Sequence, residues 1–185
     1  MFRRRKRYTF YQKKKRITSK LVREIMSWAF VTVLAIFLAF VFVTSFGMQV
    51  KVIGDSMEPS YSNGQSVLVN RLVYKIGGPS KGDVIVFLPN GNTNSHYYVK
   101  RVVAEPGDTV QIIDGSLYVN GTLADDDNAN YDKMEDAGIA VNEIKLGSGE
   151  YFVLGDNRNS SEDSRSANIG IITTKMMIGK VWYKL

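Results

Sequence analysis

Three side chains in this sequence have the chemistry to form or assist a nucleophile. They are Ser56 in Ile53-Gly54-Asp55-Ser56-Met57-Glu58-Pro59-Ser60-Tyr61, Lys100 in Tyr98-Val99-Lys100-Arg101-Val102, and His96 at the end of the polar segment Gly91-Asn92-Thr93-Asn94-Ser95. A serine hydroxyl is almost entirely protonated at neutral pH and attacks only with a base beside it. Against that reading stands the ordinary use of Gly-Asp-Ser, which builds turns because short polar side chains bond the local backbone.

Few bases are on offer. His96 is the single histidine and lies in a flexible polar loop, where a surface position is the expectation, so a Ser-His-Asp triad is disfavoured. Lys100 lies in a strand-like run, where it either points to solvent or is drawn into an apolar interior. Burial would lower its pKa by disfavouring the ammonium form, and a fall of roughly 2–3 units from about 10.4 would make it a usable base. The absence of cysteine excludes a disulfide, a thiol nucleophile and a Cys-type zinc site. Asp126, Asn128 and Asn130 have the spacing that opens a calcium loop, but Tyr131 stands where Gly is needed and Ala137 where a bidentate Glu is needed. No metal or other cofactor is expected.

The elements that must position these residues begin with a basic tail. Residues 1–24 hold eleven Lys/Arg against Glu24 alone, whereas the whole chain carries a net charge of only +6, which leaves the remainder acidic at −4. A nucleic-acid-binding domain would carry its cations on the folded surface, so this asymmetry excludes nucleic acid and favours a tail against anionic lipid headgroups. Residues 25–46 follow with no charge, and as a helix they would span about 33 Å, enough to cross a hydrocarbon core of about 30 Å. A core helix is seldom apolar on every face for this length. A cleavable signal has a shorter apolar region, although Ser45-Phe46-Gly47 does present small residues at two positions a cleavage site needs, so a retained anchor is expected. The positive flank belongs in the cytoplasm, with Trp28 in the inner aromatic belt and residues 47–185 on the outer face.

Beyond the anchor, short β-branched runs bounded by Gly, Pro and Asn predict strands over 48–52, 66–70, 83–88, 97–104, 109–113, 117–119, 150–154 and 178–183. Asp114-Gly115 and Asn120-Gly121 are turn signals. Residues 124–147 are the least defined, with a polar loop over 125–130 and room for a short helix between Tyr131 and Ile144.

Four blocks in fixed order carry a family resemblance: Gly54-Asp55-Ser56-Met57-Glu58-Pro59, Lys81-Gly82-Asp83-Val84-Ile85-Val86-Phe87, Tyr98 to Asp108, and Gly155-Asp156-Asn157-Arg158-Asn159-Ser160-Ser161-Glu162-Asp163-Ser164-Arg165. Following an N-terminal anchor, they resemble the bacterial type I signal peptidases, in the short form of Gram-positive type. The resemblance covers the anchor and nearly all of residues 47–183.

It implies a mainly β, antiparallel coiled-sheet domain after one transmembrane helix, with a smaller β extension over 115–147. It also implies a membrane-bound serine endopeptidase that removes signal peptides from exported preproteins on the extracytoplasmic face of a bacterial cytoplasmic membrane. Lipid and the protein export machinery would be its partners. Ser56 becomes the nucleophile of a Ser-Lys dyad and Lys100 its general base, acting through an acyl-enzyme. Ser161 matches the position that orients the lysine, Asp163 and Arg165 match a bracing pair, and Asp156 and Arg158 fall to loop architecture. Some members carry a hydroxyl two residues before the nucleophile to help form the oxyanion hole; here that position is Gly54. Ile53, Met57, Val86 and Val99 are the expected walls of shallow pockets for the small residues at the first and third positions before the cut.

Overall fold

The computed structural model describes residues 18–46, 48–92, 94–124 and 131–185. Most of the basic tail and the polar loop at 125–130, with Asp126, Asn128 and Asn130, lie outside these. The chain divides into two units, residues 1–41 and 42–185, each described by itself.

Helix α1 (Ser19–Phe46) is long and apolar enough to cross a membrane. Its side chains are exposed all round, Trp28 at 73% and Phe37 at 59% among them, as expected of a helix with no apolar face to hide. It starts six residues before the uncharged run, because Leu21, Lys20, Arg23 and Glu24 are good helix formers and the backbone hydrogen bonding continues through them.

The second unit is built on antiparallel strands. Strands β1 (Met48–Lys51), β2 (Ser66–Asn70), β3 (Val84–Phe87), β4 (Tyr98–Ala104), β9 (Glu150–Leu154), β10 (Ile172–Thr173) and β11 (Met177–Lys184) form one sheet. Their order is β1-β2-β11-β3-β4-β9-β10. Strands β5 (Thr109–Ile113), β6 (Ser116–Val119), β7 (Thr122–Leu123) and β8 (Ile144–Lys145) form a second sheet in the order β7-β6-β5-β8. The small sheet therefore begins at Thr109, earlier than the extension expected from 115. Its two hairpins turn at Asp114-Gly115 and Asn120-Gly121, all four with positive φ, the geometry that two-residue loops between twisted strands require. Between Tyr131 and Ile144 the helical element is a single 3-10 turn at Gly138–Val141.

Strand alternation sorts the apolar residues into separate cores. In β3, Val84 and Val86 pack with Val50, Val67 and Val69, while Ile85 and Phe87 pack with Val102, Tyr151 and Val153 on the opposite face. A strand buried on both faces reads as a continuous apolar run, which is how 84–87 appears in the sequence. In β9, Phe152 and Leu154 face a third core shared with Val110, Ile112 and Leu117 of the small sheet.

Strand β11 is last in sequence among these strands but lies inside the large sheet, between β2 and β3. A Cβ at Gly179 would stand 2.3 Å from the Asn70 carbonyl oxygen and 2.9 Å from Val69 Cγ1. Gly179→Ala is therefore expected to destabilise the domain by about 1–3 kcal/mol, through overpacking against backbone that cannot yield. Thermal unfolding of the full chain in detergent checks this, and an unchanged Tm would show that β2 and β11 separate more easily than their packing implies.

Candidate active site

Residues 54–61 form a tight turn after β1. Glu58 N–H donates to Asp55 O at 3.1 Å, Tyr61 N–H to Met57 O at 2.8 Å, and Gly54 N–H to Asn63 Oδ1 at 3.1 Å. The fully buried Met57 anchors the turn in the core beneath β1 and β2. Asn157 N–H reaches across from the 155–165 segment to the Ser56 carbonyl at 3.1 Å. The Ser56 N–H itself has no hydrogen-bond partner among the described residues.

Strand β4 delivers Lys100 to this turn: Lys100 Nζ donates to Ser56 Oγ at 2.6 Å. Lys100 is 3% exposed. Its pKa is lowered from 10.5 to about 8, chiefly by loss of water around the ammonium; Asp163, Glu162 and Asp156 oppose the fall and Arg165 adds to it. At neutral pH the ammonium form is held only weakly, so the serine hydroxyl has a base within reach of its proton.

Two ion pairs hold the walls in place. Arg101 grips Asp156 with both ends of its guanidinium, Nε to Oδ1 at 2.7 Å and Nη2 to Oδ2 at 2.6 Å. The same side chain donates to Gly82 O at 3.0 Å and Ser60 Oγ at 3.3 Å, so it links the Ser56 turn, the strand of Lys100 and the 155–165 segment. Tyr131 OH adds a 3.5 Å contact to Asp156, and the Arg158 guanidinium lies 4.2 Å from the Tyr131 ring centre. Asp163 and Arg165 form the second pair, with both Nε–Oδ1 and Nη2–Oδ2 at 2.9 Å. Asp163 Oδ2 also accepts from Gly155 N–H at 3.1 Å, and Arg165 Nη1 donates to Asp136 O at 3.1 Å. A bidentate arginine–carboxylate pair fixes orientation as well as distance.

The expected site residues separate in space. Ile53, Gly54, Ser56, Val99 and Lys100 line one cleft of about 190 Å³, together with Val52, Asp55, His96, Tyr97, Tyr98, Ser160 and Glu162. Met57 and Val86 do not line it; both are fully buried in the core behind, because the turn directs Met57 inward and β3 is covered on both faces. Ser161 Oγ is buried without a hydrogen-bond partner, tucked where a Cβ on Gly155 would come within 2.2 Å of it. The bond from Ser161 to the lysine is absent in this arrangement, in which Lys100 Nζ is engaged by Ser56.

Gly54 has a φ of +79° and nothing within 4 Å of where its Cβ would be. A hydroxyl-bearing residue there would have room but a strained backbone.

His96, read from sequence as a loop residue, comes to the cleft wall with its ring stacked on Tyr98 at 4.7 Å. Tyr98, Glu162 and Arg101 went unrecognised as parts of the site. The available signal was alternation: Tyr98 is two residues before Lys100 and shares its face, while Arg101 takes the other. Among the described residues no three His, Cys, Asp or Glu side chains come together to hold a metal ion.

Because the folded-state pKa of Lys100, about 8, lies below the ordinary 10.5, burying it costs stability. The cost is full below the folded value and is relieved as pH rises toward 10.5, where the unfolded chain also loses its proton. Lys100→Met is expected to raise stability at pH 7 by an amount on the order of 3 kcal/mol, an advantage that disappears at alkaline pH. Denaturant unfolding at the two pH values checks this; a variant less stable at both would show that the lysine is not held in a dry site.

Comparison with known proteins identifies the family. A family model described as "Signal peptidase, peptidase S26" matches residues 25–185. Signal peptidase IB of Staphylococcus aureus (strain COL) is 34% identical over 176 residues, covering 88% of this chain and 90% of its own. Signal peptidase I T of Bacillus subtilis (strain 168) is 33% identical over 166 residues, covering 86% of this chain and 84% of its own. A solved signal peptidase I from Enterococcus faecalis V583 shares 30% identity, with a TM-score of 0.42, over 56% of this chain and 97% of that one. With the family model spanning nearly all of the anchor and the whole β unit, the chain belongs to the signal peptidase family, peptidase S26.

Proposed function

We propose that this peptidase cleaves signal peptides from exported preproteins by a Ser56–Lys100 dyad and an acyl-enzyme. The observation that carries the reading is the 2.6 Å contact between Lys100 Nζ and Ser56 Oγ, made by a lysine that is 3% exposed. Neutral Lys100 takes the hydroxyl proton as Ser56 Oγ attacks the scissile carbonyl. The carbonyl oxygen becomes an oxyanion facing the unpartnered Ser56 N–H. Lys100 then gives its proton to the leaving amine of the mature protein, and the C–N bond breaks. A water molecule gives a proton to Lys100 as its oxygen attacks the acyl carbon, the bond to Ser56 Oγ breaks, Lys100 returns the proton to Oγ, and the signal peptide leaves as a carboxylic acid. Gly54 supplies no side-chain donor, so a second donor to the oxyanion comes from elsewhere. Ser161 is a supporting residue in this scheme, and Asp163 and Arg165 brace it.

Residues 1–24 form the cytoplasmic tail, 25–46 the anchor and 47–185 the extracytoplasmic catalytic domain, with anionic lipid and the export machinery as partners. Ser56 lies only ten positions beyond Phe46, at most about 36 Å of extended chain, which keeps the nucleophile near the bilayer surface. The substrate lies extended beside 97–99, its small side chains directed toward Ile53 and Val99.

Ser56→Ala and Lys100→Ala are each expected to lower the cleavage of a preprotein in detergent by about 1,000-fold or more, with the fold retained. The rate of the native enzyme should rise with pH through about 8, since only neutral Lys100 accepts the proton. A rate that is flat across that range, or an active Lys100→Ala enzyme, overturns the dyad.

A second expectation concerns the substrate. A bulky residue at the first or third position before the cut should lower kcat/KM by about 100-fold, against a small effect at the position between, whose side chain points away under the two-residue period of a strand. Equal tolerance at all three positions would remove the shallow pockets.

A further inference from the structure

One part of the cleft lining is chemically unlike its apolar wall. Tyr98 OH donates to Glu162 Oε2 at 3.1 Å, which fixes an exposed carboxylate at the cleft edge. The Tyr98 ring is stacked on His96 at 4.7 Å and 17°, and Lys100 Nζ lies 5.8 Å from the Tyr98 ring centre. Carboxylate and aromatic faces are thus presented together beside the dyad. When Lys100 is neutral, as catalysis by the proposed dyad requires, the acidic side chains lining the cleft are Asp55 and Glu162. Without the ammonium, these lining groups oppose an acidic side chain and favour a basic one.

The position is set by the strand. Tyr98 precedes Lys100 by two residues, about 7 Å of extended chain, and an extended substrate beside β4 advances at the same rate. A substrate side chain two residues or so from the scissile bond comes level with Glu162.

Resting on the reading of this cleft as the substrate site, we propose that Glu162, oriented by Tyr98 and flanked by the His96 ring, selects preproteins carrying a basic side chain within two or three residues of the cut. The recognition has three parts: a carboxylate for the cation, ring faces for a guanidinium or the stem of a lysine, and no cation of its own once the base is deprotonated. Because Glu162 is exposed, the effect is modest and sensitive to salt.

The test uses the full chain in nonionic detergent and a preprotein varied to Lys, Gln or Glu at one position at a time. The scan covers three residues on either side of the cut and omits the two small-residue positions. At one position, kcat/KM for the Lys substrate should exceed that for the Glu substrate by about tenfold at low salt, through KM, and the ratio should shrink at high salt. Glu162→Gln, which keeps an oxygen for Tyr98, should bring the ratio close to one, while Asp55→Asn should leave most of it. A neutral substrate cleaved with no charge preference at any position overturns the selection alone, as does a preference that survives Glu162→Gln or moves to Asp55→Asn. Equal cleavage by Ser56→Ala and the native enzyme would overturn the reading of the cleft itself.

Discussion

The structure depends on keeping one ammonium group almost dry. Lys100 is 3% exposed, and its engaged neighbour is a serine hydroxyl. A charged lysine so placed would ordinarily be neutralised by an adjacent carboxylate, which would raise its pKa and remove it as a base. Here Asp163, Glu162 and Asp156 are the nearby candidates: Asp163 and Asp156 are paired with Arg165 and Arg101, and Glu162 is exposed and accepts from Tyr98 OH. The three acids raise the pKa of Lys100 and Arg165 lowers it, and desolvation outweighs them. The two ion pairs are therefore electrostatic devices as much as mechanical ones.

The same pairs explain how three separate segments hold a common geometry. Arg101 touches the nucleophile turn through Ser60, its own strand neighbourhood through Gly82 and the 155–165 segment through Asp156. Gly155 permits the close approach, since a Cβ there would stand 2.5 Å from the Ser56 carbonyl oxygen and 2.2 Å from Ser161 Oγ. A backbone so crowded leaves the serine little freedom to drift from the lysine, which matters where an error of an ångström can cost orders of magnitude in rate.

The strands, the anchor and the tight turns were legible because each follows from local rules: two-residue alternation, an uncharged run, and Asp-Gly or Asn-Gly at positive φ. Ser56 and Lys100 each carry two readings in the sequence, and their 2.6 Å contact depends on a turn and a strand 44 residues apart. Met57 and Val86 illustrate what adjacency in sequence does not convey, since both flank site residues and face the core. His96 is the converse: a polar loop residue brought to the cleft by stacking on Tyr98, an interaction that no periodicity announces. The small sheet was placed too late because β5 pairs with β6 and β8 and not with β4, a long-range choice that its own residues do not express.

The position of β11 carries a consequence for biosynthesis. In the hydrogen-bonded order of the sheet, β1 and β2, next to the Ser56 turn, connect to β3 and to the strand of Lys100 through residues 177–184, which pair with β2 on one side and β3 on the other. Until that segment has left the ribosome, the serine and lysine belong to two halves with no continuous sheet between them. In a nascent chain the large sheet is therefore completed by one late-synthesised strand, and the Ser56 turn and Lys100 come to share a continuous sheet when it inserts.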